Sequence, residues 1–177
     1  TLGLEGAGIV DSVGKDVTRF KKGDRVAYTN IPGAYAEFAA VPEDKLVNLP
    51  ATVSFNEGAA ILFQGCTAHF LCHSTYSVKP GDVCLVHAAA GGVGLLLTQM
   101  IKMLGATVIA TVSTQAKATL AKAAGADHAI LYTETDFEAA VKTLTDGKGV
   151  NVAFDSVGKT TFEKSINCLK PLGTMVL

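Results

Sequence analysis

Val86-His87-Ala88-Ala89-Ala90-Gly91-Gly92-Val93-Gly94 is the stretch on which the reading of this chain turns. It follows an apolar run, Val83-Cys84-Leu85-Val86, and opens a helical one, Val93 to Leu104. Ala89, Gly91 and Gly94 keep the i, i+2, i+5 spacing of the dinucleotide-binding fingerprint, with alanine at its first position. The chemistry explains the residue types. A backbone without side chains can approach a pyrophosphate closely, and a helix N-terminus supplies free N–H groups and partial positive charge. A plain tight turn between strand and helix is the simpler alternative. Context favours the fingerprint, because the segment sits in a strand–turn–helix–strand unit.

Outward from this loop the chain alternates. Strand-like runs recur at Thr107 to Thr111, His128 to Tyr132, Val150 to Phe154 and Thr174 to Leu177. Helical runs lie between them at Gln115 to Ala124, Phe137 to Leu144 and Thr161 to Leu169, with Gly105 and Gly125 where helix C-caps belong. Thr135 and Glu138 have capping-box spacing. Such alternation predicts a doubly wound parallel sheet with helices on both faces, a Rossmann α/β fold. Before Pro80 the pattern is one of short strands and turns: Ala7 to Val13, Arg25 to Tyr28 and Ala34 to Val41 read as strands of a small β-barrel or sandwich. Two helical stretches follow, one opened by the capping pair Ser54 and Glu57, the other from Gly65 to Ser74.

The end of the second sheet strand bears on the cofactor. An NAD site places Asp or Glu there to bond the ribose 2′-OH. Here the stretch is Ala110-Thr111-Val112-Ser113-Thr114-Gln115-Ala116-Lys117, without an acid. A hydroxyl and a lysine suit a 2′-phosphate, so Ser113 and Lys117 are expected to select NADPH. A solvated lysine and a helix-capping hydroxyl are the plainer readings of the same residues.

Composition sets the outer limits. Apolar residues make up 49% of the 177, enough for a core, and charged residues 18%. Fifteen basic and 16 acidic side chains leave a net charge of −1, so nucleic acid is not expected as a main partner. No apolar run reaches the length of a membrane helix. The spacing of Cys66, Cys72, Cys84 and Cys168 matches no disulfide framework, which favours reduced thiols and a cytoplasmic setting. Cys66, His69, Cys72 and His73 crowd one segment, yet one helix offers only part of a tetrahedral metal site, and no metal is expected.

Together these residues resemble the zinc-independent quinone oxidoreductases, the zeta-crystallin-like branch of the medium-chain dehydrogenases/reductases. The likeness rests on Gly6-Ala7-Gly8-Ile9-Val10, Gly23-Asp24-Arg25-Val26, Gly33-Ala34-Tyr35, His87 to Gly94, and Phe154-Asp155-Ser156-Val157-Gly158. It implies a partial GroES-like β-barrel domain over residues 1–62 and a Rossmann domain over 63–177. It implies transfer of hydride or electrons from NADPH to quinones. Saturation of 2-alkenals or enones is an alternative, as is a non-enzymatic, cofactor-binding role of crystallin or RNA-binding type. By the same resemblance Thr67 lies beside the nicotinamide and Gln64 near the substrate side of the cleft. Gly92 and Val93 meet the pyrophosphate through their backbone. Ser113, Lys117 and Tyr132 contact the 2′-phosphate, and Ser156 approaches the ribose. No side chain present is an obvious proton donor, so no catalytic residue is assigned, and His87 is read as a packing residue. Gly3-Leu4-Glu5 stands where zinc-dependent relatives carry Gly-His-Glu, and leucine cannot ligate zinc. Relatives of this kind are often homodimers. Both ends of the sequence read as abrupt, so it is expected to be part of a longer chain, short of early strands and of a sixth sheet strand. Catalysis by these 177 residues alone is not expected.

Overall fold

The computed structural model describes residues 2–177; Thr1, counted in the expected first domain, lies outside them. The chain divides into two compact units, one ending at Cys66 and the other running Thr67–Leu177.

In the first unit, β1 (Glu5–Ile9), β2 (Arg25–Thr29) and β3 (Leu46–Asn48) form an antiparallel sheet in the order β1-β2-β3. Val26, Ala27 and Tyr28 of the central strand are buried with Phe20 and Leu49. The first strand ends earlier than its sequence suggests. Val10 still exchanges backbone bonds with Gly23 and Asp24, but β2 starts at Arg25, so Ser12 and Val13 have no strand to pair with. The expected strand from Ala34 to Val41 is not one. Its backbone bonds to the Leu2–Gly3 segment stop at Tyr35, and Tyr35 and Phe38 are 81% and 78% exposed. Alternating residues make a strand only where a partner accepts the ladder along its length. A short 3₁₀ turn (Glu43–Lys45) and β3, neither legible in the sequence, follow Pro42.

The capping pair forms as its spacing predicts. Ser54 N and Oγ both donate to Glu57 Oε2, at 2.8 and 2.7 Å, and Glu57 N donates back to Ser54 Oγ at 3.2 Å. These bonds pull the Glu57 carboxyl below its ordinary value. Helix α1 (Phe55–His69) then runs on through a wider π-type turn (Phe70–Thr75), so the two expected helices are one.

The second unit is a five-stranded parallel sheet, β4 (Val83–Val86), β5 (Thr107–Val112), β6 (His128–Leu131), β7 (Val150–Phe154) and β8 (Leu169–Val176). Their order is β6-β5-β4-β7-β8. The chain winds outward from β4 to β6, then returns to lay β7 on the other side of β4. Helices α2 (Gly92–Met103), α3 (Gln115–Ala123), α4 (Phe137–Leu144) and α5 (Phe162–Asn167) connect the strands. Alternate residues separate the two faces. Cys84, Val86, Val108, Ala110 and Phe154 pack with Leu97 and Ile101 of α2. Leu85, Ile109 and Ala153 pack with Phe137 and Val141 of α4. Gly105 and Gly125 follow the ends of α2 and α3 at φ +79° and +109°, as their sequence positions predict.

Two local expectations are corrected. The cap of α4 is Asp136, whose Oδ1 accepts Glu138 N at 2.9 Å; the Glu138 side chain instead meets Lys142 and Asn167. Helix α5 is shorter than expected and β8 begins at Leu169. Val150 pairs with Leu169 and Val152 with Thr174, so Lys170 to Gly173 bulge outward, with Leu172 at φ +63°. The regular part of β8 is the predicted Thr174 onward.

Leu85 is fully buried at the centre of this sheet. Leu85→Ala should lower unfolding free energy by about 2–5 kcal/mol, through lost burial and the cavity left behind. Urea unfolding followed by circular dichroism measures it, and a loss below about 1 kcal/mol would contradict this packing.

Candidate active site

The strand order reverses between β4 and β7, and in open α/β sheets a crevice forms at the carboxyl ends of the strands at that point. A cleft of about 270 Å³ lies there, lined by His87, Ala88 and Gly91 to Gly94 on one side and by Asp155 and Ser156 on the other, with Leu71 and Val176 completing it. A larger hollow of about 690 Å³ in the first unit is lined mostly by small and apolar residues, and no α-helix N-terminus lies in its wall.

The glycine loop is shaped for close approach. A Cβ at Gly94 would overlap the Ala88 carbonyl oxygen and stand 2.7 Å from the Cα of Ala89, so the loop packs on the helix only because residue 94 is glycine. Ala88 holds φ +49°, in the left-handed region that L-residues rarely adopt. Gly91 is the N-cap of α2, and no side chain caps this helix. The N–H groups of Gly92, Val93 and Gly94 therefore lie in the first turn, where no helical residue stands four back to accept them. Ala89, expected among the binding residues, is fully buried beneath the loop, and Ala88 lines the cleft instead.

At the end of β5 the structure brings Ser113 and Lys117 together, with Lys117 Nζ donating to Ser113 Oγ at 3.1 Å. Thr114 caps α3 by accepting Lys117 N. Tyr132 follows β6; its N–H bonds the carbonyl of Val112, and its side chain is 51% exposed. Ser113 and Tyr132 thus follow the carboxyl ends of the neighbouring parallel strands β5 and β6, with Lys117 in the first turn of α3; none of the three lines the cleft. Thr67 is half-buried on α1 and Gln64 half-buried on the same helix; neither lines this cleft.

His87 and Asp155 are the titratable side chains of the cleft wall, and both are buried. His87 Nδ1 lies 2.8 Å from Thr111 Oγ1 and Nε2 lies 2.9 Å from Ser165 Oγ, while its ring meets the edge of Phe137. Burial pushes the imidazole below its ordinary value, partly offset by the Asp155 carboxylate 4.0 Å away, so the contact at neutral pH is not an ion pair. Burial raises the Asp155 carboxyl, but bonds from Gly158, Thr161, Ser165 and Val157 outweigh it and hold the group below its ordinary value. From sequence His87 reads as packing, and Asp155 stands only within a matching stretch, with no role of its own. The local signal for Asp155 is an aspartate followed by Gly158 three residues on, the pattern of an Asx-type turn.

Cys66, His69 and His73 are exposed while Cys72 is buried, and the two imidazoles lie 4.2 Å apart. Among the described residues no group of three or more His, Cys, Asp or Glu side chains is arranged to hold a metal ion.

Residues 1–51 match the family model of the alcohol dehydrogenase GroES-like domain, and residues 92–177 match that of the zinc-binding dehydrogenases. The quinone oxidoreductase of Pseudomonas aeruginosa is 48% identical over 176 residues, covering 99% of this chain and 54% of that protein. By these matches the chain is similar, over nearly its whole length, to quinone oxidoreductases and to the two alcohol dehydrogenase-type domains. Similar in the same range is the 2-haloacrylate reductase of a Burkholderia species, 44% identical over 97% of this chain and 53% of its own length. Among solved structures, the Escherichia coli quinone oxidoreductase complexed with NADPH superposes with a TM-score of 0.95 at 46% identity, over 98% of this chain and 54% of that one. The chain spans about half the length of the curated relatives it matches.

The depressed His87 value has a consequence for stability. An unfolded chain takes up a proton near the ordinary histidine value of 6.5, while the folded chain resists it. The contribution of His87 is fully present above that value and declines as pH falls from it toward the folded value. The urea midpoint should therefore drop between about pH 7 and pH 5, and drop less in His87→Gln, whose amide does not titrate there. Equal drops in both proteins would contradict a neutral, buried His87.

Proposed function

We propose that this protein binds NADPH at the glycine loop and takes part in zinc-independent reduction of quinones. The observation that carries the cofactor reading is the acid-free end of β5, beyond which Lys117 and Ser113 are hydrogen-bonded to each other. Gly92, Val93 and Gly94 would receive the pyrophosphate through uncapped N–H groups, on a loop that side chains do not obstruct. Ser113, Lys117 and Tyr132 would hold the 2′-phosphate, and an acid there would repel it. Ser156, on the far wall of the cleft, would meet the ribose; Thr67 and Gln64 remain assigned to the nicotinamide and substrate ends. The bound nicotinamide supplies the hydride. The protein's part is to hold it and to keep water from the apolar wall formed by Leu71 and Val176.

The acceptor is read from the relatives: quinone oxidoreductases of Pseudomonas aeruginosa and Escherichia coli are 48% and 47% identical to this chain. A second reading, reduction of a C=C bond beside a carbonyl or carboxylate, has its own support in the 2-haloacrylate reductase at 44% identity. Residues 1–62 are taken as the GroES-like domain and 63–177 as the cofactor domain. Four free thiols suit a cytoplasmic setting. Among the described residues no helix is long and apolar enough to cross a membrane. A homodimer is proposed on the family resemblance.

Lys117→Glu should weaken NADPH binding about tenfold or more and NADH binding little, since only the first carries the phosphate. Fluorescence titration with both nucleotides measures this. Equal losses for both would overturn the assignment. Turnover of a benzoquinone against that of a 2-alkenal, each with NADPH, separates the two acceptors.

A further inference from the structure

Four polar side chains that no local motif unites meet inside the second unit. Thr111 is the penultimate residue of β5, His87 follows β4, Asp155 follows β7, and Ser165 lies on α5. All four are buried. We propose that His87 and Ser165 are positioning residues for the cofactor: with Thr111 and Asp155 they form a one-way chain of hydrogen bonds that fixes the turn from Asp155 to Gly158 as a wall of the cleft. The proposal rests on the cofactor reading above.

The direction of the chain follows from proton counting. An ionised Asp155 accepts and cannot donate. Its Oδ1 takes Val157 N, Gly158 N and Thr161 Oγ1 at 2.9, 3.0 and 2.8 Å, which sets the turn. Its Oδ2 takes the single proton of Ser165 Oγ at 2.8 Å. Ser165 can then only accept from His87, so Nε2 carries the imidazole proton. The neutral ring leaves Nδ1 bare, and the Thr111 hydroxyl donates to it. From Thr111 through His87 and Ser165 to Asp155 each proton is used once and each partner is matched. The backbone follows the same path: His87 N donates to the Phe154 carbonyl at 3.0 Å and Asp155 N to that of Val176 at 2.8 Å. His87 is also the residue before Ala88, so the entry to the glycine loop and the opposite turn share one frame.

The test reads the proton directly. Long-range ¹⁵N–¹H spectra of the protein should show His87 protonated at Nε2. In Asp155→Asn the carboxamide oxygen can keep the three donors of the turn, while its NH₂ group donates to Ser165. Ser165 must then donate to His87, and the ring should switch to the Nδ1–H form. A ring that keeps its tautomer in Asp155→Asn overturns the chain. Ser165→Ala, which leaves both neighbours unpaired, should raise the Kd of NADPH and of NADH alike by about fivefold or more, measured where circular dichroism shows the variant folded. If Ser165→Ala does not fold, Thr111→Val, which removes only the last donor, should raise both constants in the same sense. Unchanged affinities in the folded variant, with wild-type binding intact, overturn the positioning role alone. A wild-type protein that binds neither nucleotide overturns the cofactor reading, and the positioning role of the hydrogen-bond chain falls with it.

Discussion

The pairing of β4 with β7 is the constraint on which the second unit depends. Cys84, Leu85 and Val86 run parallel to Val152, Ala153 and Phe154, although some 68 residues separate them in sequence. This pairing reverses the strand order and so creates a crevice at one end of the sheet. Both ends of it are fastened. At the amino end, Asn151 accepts from Val83 N and donates to Asp82, and Asp82 also receives Lys79 N and the Tyr76 hydroxyl. At the carboxyl end His87 N reaches the Phe154 carbonyl. Without this long-range pairing the glycine loop would be a turn between a strand and a helix with nothing facing it.

A second ion-supported joint works beside it. Lys102 of α2 meets both oxygens of Asp127 at 2.9 Å, and Asp127 Oδ2 also accepts Val108 N at 2.7 Å. The pair is partly exposed, so its value lies in aligning α2, β5 and the approach to β6 more than in energy. Helix α2 must be aligned because its first turn points at the crevice.

Much of this is legible in sequence because it is local. The apolar runs of β4, β5 and β7 sit between turn residues, and the glycine loop has its fixed spacing. The capping pair Ser54–Glu57 and the terminal glycines Gly105 and Gly125 act within four residues of the helix ends they serve. Sequence and structure part where a neighbour decides. Ala34 to Val41 alternates like a strand but lacks a partner beyond Tyr35. Leu169 belongs to β8 because Val150 reaches it, and the bulge at Lys170 to Gly173 hides that register. At α4 the capping pair read at Thr135 and Glu138 does not form, because the neighbouring Asp136 meets the helix. The site divides in the same way. Ser113 and Lys117 are one helical turn apart and readable, whereas Thr111, His87, Asp155 and Ser165 are scattered over nearly 80 positions and meet only through the topology.

Ala88 carries a consequence of its own. Glycine would adopt φ +49° freely, whereas alanine there costs about 1 kcal/mol or more of backbone strain. In exchange, alanine has fewer conformations to lose than glycine when the chain folds, and fewer to wander among afterward. The loop is thus narrowed to one shape by packing, with the buried Ala89 beneath it and Gly94 against its carbonyl. A ligand arriving at the crevice meets a surface already set, so the entropy of shaping it is settled during folding rather than on association.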